Sequence, residues 1–233
     1  MHSGQVYLQP AYILQHRPYR ETSLLLDVFT RDFGVLTVLA KGVRKPKSKL
    51  AGLLLPFTQI QISYLDKNEL KLLSGADYIA GQTLQGMALF CGFYVNELVQ
   101  RFLHKHDPNP VLFQRYQLCL QQLLETDCFE QTLRYFELDL LTEAGYGVEL
   151  THTAQGQPVS ESHYYVYLAS TGLIQQQPGT VQGRTLLALA QRAVLDEVAL
   201  GQAKNLLRSI LAEHLHGKPL KSRHVLAQVI QFL

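Results

Sequence analysis

The sequence predicts an α+β protein in two parts, a five-stranded β module followed by a mainly α-helical region that carries a small β-hairpin. Two observations predict it. Apolar residues alternate with polar ones in short runs through residues 1–80, and recur at three- and four-residue spacing from Leu84 onward. Turn-forming residues cut the first part finely, whereas Gly and Pro bound longer segments in the second.

Taken in order, Ala11–His16, Ser23–Thr30, Val35–Ala40, Phe57–Tyr64 and Leu70–Ala76 are runs rich in Leu, Val, Ile and Tyr. Arg17-Pro18, Asp32-Phe33-Gly34, Lys45-Pro46 and Asp66-Lys67-Asn68 separate them. The fourth run alternates cleanly, with Ile60, Ile62 and Tyr64 on one side and Gln59, Gln61 and Ser63 on the other. That pattern marks a half-buried antiparallel strand. Five short strands with the longest gap between the third and fourth suit a small closed barrel, and closure removes exposed edges. The five-stranded OB-fold has that build.

Leu84–His104 is helical by the spacing of Phe90, Tyr94, Leu98 and Phe102. Asp107-Pro108-Asn109-Pro110 ends it and opens the next helix, since Pro is tolerated in a first turn. Val111–Leu124 and Gln131–Ala144 follow, and Gly145 is placed to stop the second. Gly147–Ser162 is polar and loop-like, and Tyr164–Gln175 reads as a hairpin turning at Ser170-Thr171-Gly172. Gly183–Leu195, Ala203–His216 and Ser222–Phe232 complete the helices. A boundary near residues 79–84 gives a barrel domain over 1–80 and a helical domain over 81–233, with the hairpin region at 147–178.

Composition narrows the function classes. A hydrophobic fraction of 47% supports a full core, and only 17% charged residues argues against a disordered chain. No apolar run approaches the roughly 20 residues of a membrane-spanning helix. MHSGQVYLQP lacks the charged start and apolar core of a secretory signal, so a cytoplasmic protein is expected. Cys91, Cys119 and Cys128 form neither a disulfide framework nor a zinc pattern, and read as small core residues.

Charge is uneven along the chain. Residues 1–80 hold ten Lys/Arg against six Asp/Glu, residues 81–194 six against ten, and residues 195–233 five against three. Basic ends around an acidic middle suggest a polyanion-binding surface. The sharpest cluster is AKGVRKPKSKL, where Lys41, Arg44, Lys45, Lys47 and Lys49 stand without an acid between them. Gly42 and Pro46 make it a mobile loop, the kind of feature that tracks a phosphate backbone. Arg17 and Arg20 in HRPYRE add charge in the first interstrand loop, and Tyr19 adds a ring on which a base can stack. A solvated lysine loop that only keeps the protein soluble satisfies the same composition. Lys218, Lys221 and Arg223 form a second cluster, with Ser222 as a candidate N-cap; helix-end electrostatics accounts for it equally well.

The search for catalytic chemistry returns little. His104, His106, His214 and His216 fall at helix ends, two apart, where side chains diverge. There is no phosphate loop, no H-E-x-x-H and no G-x-S-x-G, and Glu21 and Asp27 lack a partner carboxylate at a recognisable spacing. The residues alone leave open a DNA-binding module, an OB-fold RNA-binding or ribosome-associated module, and a metal-dependent nuclease, and no motif supports the last.

The segment RPYRETSLLLDVFTRDFGVLTVLAKGVRKPKSKLAGLLLPFTQIQISY resembles the amino-terminal domain of RecO, the bacterial recombination mediators. The likeness continues through ELKLLSGADY, LFCGFYVNEL, LRYFELDLLTEAGYGVEL and GKPLKSRHVLAQ, spanning nearly the whole chain in order. The resemblance implies an OB-fold and a helical domain. It also implies binding of single- and double-stranded DNA, annealing of complementary strands, and action with RecR to help RecA replace single-stranded-DNA-binding protein. The implied setting is the cytoplasm, at the nucleoid during repair.

By resemblance, Arg17, Arg20, Lys41, Arg44, Lys45, Lys47 and Lys49 are DNA-binding candidates, with Lys218, Lys221 and Arg223 in a further family motif. The family also docks the acidic, Phe-ended C-terminal tail of single-stranded-DNA-binding protein, which calls for an apolar pocket bordered by a cation. Arg101 and Arg134 are the candidates, although Glu97, Glu130 and Glu137 lie at ion-pairing distances along their helices. Many RecO proteins carry a four-cysteine zinc site after the Gly-Tyr-containing helix. Here VELTHTAQGQPVSESHYYVYLASTGLI has no cysteine, and His152 and His163 alone do not close a structural zinc site. No cofactor is expected, and the hairpin should be held by packing, through Tyr164, Tyr165 and Tyr167.

Overall fold

A computed structural model describes residues 4–66, 70–81, 83–215 and 217–225. Five strands come first: β1 (Gly4–Tyr19), β2 (Ser23–Thr30), β3 (Gly34–Ala40), β4 (Thr58–Asp66) and β5 (Lys71–Gly81). They pair in the order β1-β2-β3-β5-β4, and β4 returns to β1, so the sheet closes into a barrel. The short β3–β5 ladder, Val38↔Lys71 and Leu39↔Leu72, is parallel, and the other described ladders of the barrel are antiparallel. Alternation fills the interior: Ala11 and Ile13, Leu26 and Val28, Leu36, Val38 and Ala40, and Ile60, Ile62 and Tyr64 form one buried cluster.

β1 runs longer than the alternation predicts, and residues 11–14 are buried on both faces. The cause is a second layer. Helices α1 (Gly86–Phe102) and α2 (Pro110–Glu125) cover the outside of β1 and β2. There Tyr12 and Phe29 meet Phe113 and Tyr116 at ring-centroid separations of 5.0 to 5.9 Å. A bulge in β1 between Ile13 and Gln15 breaks the ladder at Leu14. The Leu14 carbonyl then accepts a 2.7 Å bond from the Asn96 side-chain amide of α1. Asn96 in turn accepts a 2.6 Å bond from the Tyr116 hydroxyl of α2. Burial raises the Tyr116 phenol well above its ordinary pKa, so it stays a donor.

Close approach also needs glycine. A Cβ on Gly92 of α1 would lie 2.5 Å from Leu84 and 2.8 Å from the Phe57 ring. Gly34, at φ +66°, opens β3 so near the α1–α2 connection that a Cβ would sit 2.2 Å from the Asp107 carbonyl. Asn109 caps α2 by accepting from Leu112 N at 2.8 Å, with Pro110 at the first helical position.

The described residues divide into two compact units, one holding β1–β5, α1 and α2, the other spanning Thr126–Arg223. The second contains α3 (Phe129–Glu143), strands β6 (Tyr164–Leu168), β7 (Gly172–Gln175) and β8 (Val181–Gln182), then α4 (Gly183–Ala190) and α5 (Glu197–His214). The predicted hairpin is β6–β7, and β8 adds a third strand beside β6. Tyr165 is the buried tyrosine of the three predicted anchors, and its hydroxyl accepts from Ser160 N at 2.8 Å. Gln202 of α5 ties this sheet to α4 by accepting from Gln182 N at 3.0 Å and Thr185 Oγ1 at 2.7 Å.

Several sequence expectations need correction. α1 ends at Phe102, so His104 and His106 lie beyond it. α4 stops at Ala190 because Arg192 takes φ +53° and turns the chain. α5 starts at Glu197 and not Ala203, because Asp196 caps it through a 2.7 Å bond from Ala199 N. Cys128 is exposed beside α3, unlike buried Cys91 and Cys119. Residues 221–225 are helical, which puts Ser222 inside the first turn and not at the cap. The rest of that predicted helix, His216, and the turn residues Lys67 and Asn68 lie outside the described residues.

The Asn96 bridge should behave as one unit. Asn96→Ala is expected to destabilise the protein by about 2–4 kcal/mol and Tyr116→Phe by about 1 kcal/mol. In urea unfolding the double variant should lose less than the sum, because the two side chains share a bond.

Candidate nucleic-acid interface

The basic segment leaves β3 at Ala40 and forms a run of turns. Lys45 N donates to Gly42 O at 3.2 Å and Ser48 N to Lys45 O at 3.2 Å, building consecutive turns. Gly42 and Lys47 adopt φ +70°. Val43 and Leu54, the apolar residues of this stretch that are fully buried, insert into the barrel core. His16 Nδ1 lies 2.9 Å from the Leu54 carbonyl. With both anchors inside, Lys41, Arg44, Lys45, Lys47 and Lys49 all remain exposed. The segment is a succession of turns pinned at two apolar residues, and its cations face water.

The same loop grips the β1–β2 turn. Arg44 N donates to Thr22 O at 2.8 Å, and the Arg44 guanidinium to Arg20 O at 3.2 Å. Arg20 sits at φ +52°, with its guanidinium carbon 5.4 Å from the Tyr19 ring centroid. Strand register then sets the remaining neighbours: Tyr19 pairs with Ser23, Leu24 with Ala40, and Leu25 with Leu39. Between turn and loop lies a concavity of about 640 Å³ lined by Tyr19, Arg20, Leu39, Lys41 and Lys45 among others. Arg20, Lys41, Arg44 and Lys45 are thus brought together, and Lys47 and Lys49 continue along the loop.

Arg17 is placed differently. It extends from β1 toward Asp27, with 3.7 Å between Nη1 and Oδ2, and Asp27 also accepts from Thr37 Oγ1 at 2.8 Å. Lys105 adds a cation that sequence reasoning missed. Its segment docks on β3, with His106 N donating to Val35 O at 3.2 Å, and its ammonium lies 3.4 Å from Thr37 Oγ1. Nothing in the local sequence signals that placement, because it follows from tertiary docking of the α1–α2 connection.

Lys218 and Lys221 are exposed after α5, in and beyond the turn made by Gly217 at φ +71°, and Arg223 is half-buried. Arg101 pairs with Glu97 across one helical turn at 3.7 Å. Arg134 is buried in α3 and donates from Nη2 to Glu137 at 2.6 Å, whereas its Nε has no hydrogen-bond partner among the described residues. Glu149 accepts from Thr151 and His152 N, and hydrogen bonding to Thr151 holds its carboxyl below the usual range. No group of three or more His, Cys, Asp or Glu among the described residues is arranged to hold a metal ion. No described helix is long and apolar enough to cross a membrane.

Two family models divide the chain between them. Residues 1–82 match Recombination protein O N terminal, and residues 84–224 match Recombination protein O C terminal. The chain belongs to the RecO family. It is 44% identical over 230 residues to the DNA repair protein RecO of Actinobacillus succinogenes, covering 97% of each chain. It is 42% identical to the protein of that name from Nitrosococcus oceani, over 97% of this chain and 94% of the relative. It is likewise 42% identical to that of Haemophilus influenzae, over 98% and 99%. RecO membership assigns the chain a role in DNA repair and recombination.

If Val43 and Leu54 hold the basic loop in place, removing one should be felt in the barrel. Leu54→Ala is expected to destabilise by about 2–5 kcal/mol in urea unfolding. Amide exchange across residues 42–57 should speed up at the same time; an unchanged exchange pattern would separate loop order from the anchor.

Proposed function

We propose that this RecO-family chain is a non-enzymatic DNA-binding mediator that anneals complementary strands during repair. The observation that carries the reading is the folded basic loop, with Lys41, Arg44, Lys45, Lys47 and Lys49 exposed above two buried anchors. Arg20 extends that surface through its bond to Arg44, and Arg17 lies on the adjacent strand. Annealing brings two polyanions together, and a cationic surface screens their repulsion while leaving base edges free to pair. Contacts to phosphate read no sequence, so single- and double-stranded DNA are both ligands. No bond is made or broken, and no catalytic group is required. Lys218, Lys221 and Arg223 are proposed as a further DNA contact.

Recruitment is a separate task. The acidic C-terminal tail of single-stranded-DNA-binding protein is the proposed partner of the helical region. Arg134, buried and paired with Glu137, and Arg101, paired with Glu97, are the proposed cations of that dock. Cooperation with RecR in loading RecA completes the proposed role.

The test is annealing of two complementary oligonucleotides coated with single-stranded-DNA-binding protein, with wild type and a quadruple variant, R44A/K45A/K47A/K49A. Wild type should anneal them in a salt-sensitive way, and the folded variant should not. Its salt slope for single-strand binding should shrink by up to about 3, near 0.7 for each phosphate that is no longer neutralised. Binding without annealing by wild type would favour a general OB-fold module, with RNA as the ligand to try next. Annealing that survives in the quadruple variant would move the site away from this loop.

A further inference from the structure

The concavity beside the basic loop has a shape and lining that simple charge neutralisation does not need. It spans three strand ends: Tyr19 closes β1, Ser23 opens β2, and Leu39 lies near the end of β3 with Lys41 just beyond it. Lys45 reaches in from the loop and Glu21 from the β1–β2 turn. The site therefore combines an aromatic ring, an apolar strand residue, two aliphatic hydroxyls, two ammonium groups, a guanidinium and one carboxylate. Its volume, about 640 Å³, falls in the range of small-molecule sites. Phosphate tracking alone asks only for exposed cations, which Lys47 and Lys49 already supply farther along the loop.

We propose that this concavity is a subsite for one unpaired nucleotide of a DNA strand. The inference rests on the nucleic-acid reading above and goes beyond it, because it gives the surface a means to distinguish single strands from duplex. The base stacks on Tyr19 and packs against Leu39, and its phosphate meets Lys41 and Lys45. Glu21 sets that direction, since a carboxylate repels phosphate and accepts hydrogen bonds from base amino groups. Arg20 covers Tyr19 through an exposed cation–π contact, which is weaker than base stacking and gives way to it. A paired base cannot enter, because its faces are stacked within the duplex and a second backbone accompanies it. Pairing thus empties the pocket while the loop keeps its hold on phosphate. The unpaired strand is retained until its complement arrives, and the duplex leaves more easily than either strand.

The test uses the full chain with short single-stranded and duplex oligonucleotides, comparing wild type, Tyr19→Leu, Tyr19→Phe and the quadruple loop variant. A 2-aminopurine in the single strand reports stacking by quenching. The ratio of single-strand to duplex affinity should fall about five- to a hundred-fold in Tyr19→Leu, with loss of the quenching. Tyr19→Phe, which keeps the ring, should restore both. Unfolding curves for Tyr19→Leu matching wild type show that the barrel is intact; if Tyr19→Leu fails to fold, a nuclear magnetic resonance titration of wild type with deoxyadenosine monophosphate must shift the Tyr19, Leu39 and Lys41 signals. Equal loss of both affinities in a folded Tyr19→Leu overturns the subsite. So does an unchanged ratio while the quadruple variant loses both affinities, and that outcome leaves the DNA-binding reading standing. If neither variant alters binding to any DNA, both fall.

Discussion

The Asn96 bridge organises the first unit. One buried amide joins the Leu14 carbonyl of β1 to the Tyr116 hydroxyl of α2. The β1 bulge takes Leu14 out of the ladder with β2 and turns its carbonyl toward the helix. An unsatisfied buried amide is expensive, so α1 and α2 are held to one register on the barrel. Around it, Tyr12 and Phe29 turn their rings onto Phe113 and Tyr116, giving the β1–β2 wall a second hydrophobic face. The docked α1–α2 connection then brings Lys105 beside Thr37.

The basic loop follows a related logic on a smaller scale. Five cations repel one another, and a loop carrying them would spread into solvent if nothing opposed it. Val43 and Leu54 oppose it from inside the barrel, and Arg44 does so by bonding to the neighbouring turn. The same guanidinium can therefore position Arg20 and present charge. This arrangement supplies a preorganised cationic surface, which loses less entropy on meeting a polyanion than a free loop does.

Much of this was visible before any coordinates. β2 lies where its alternating run predicts, and β4 needs only small shifts at its ends. β2 was found by its length, composition and flanking turns, whereas β4 obeys a simple inside–outside pattern. β1 did not, because its outer face is also buried and alternation vanishes when both faces are apolar. The start of α5 was carried by Asp196 acting as a cap, but Gly201 a few residues on weakened the helical pattern. Within the candidate site, the cations were readable as a charge cluster. The pocket was not, since Ser23 and Leu39 look like ordinary strand residues until register sets them beside Tyr19 and Lys41.

The central claim is that DNA meets this chain on the basic loop and the β1–β2 turn that it grips. Hydrogen–deuterium exchange of the full chain with and without a single-stranded oligonucleotide at low salt tests that most directly. Protection concentrated in residues 17–23 and 41–50 is the predicted result. Protection confined to other segments, with these two unchanged at saturating DNA, would contradict it.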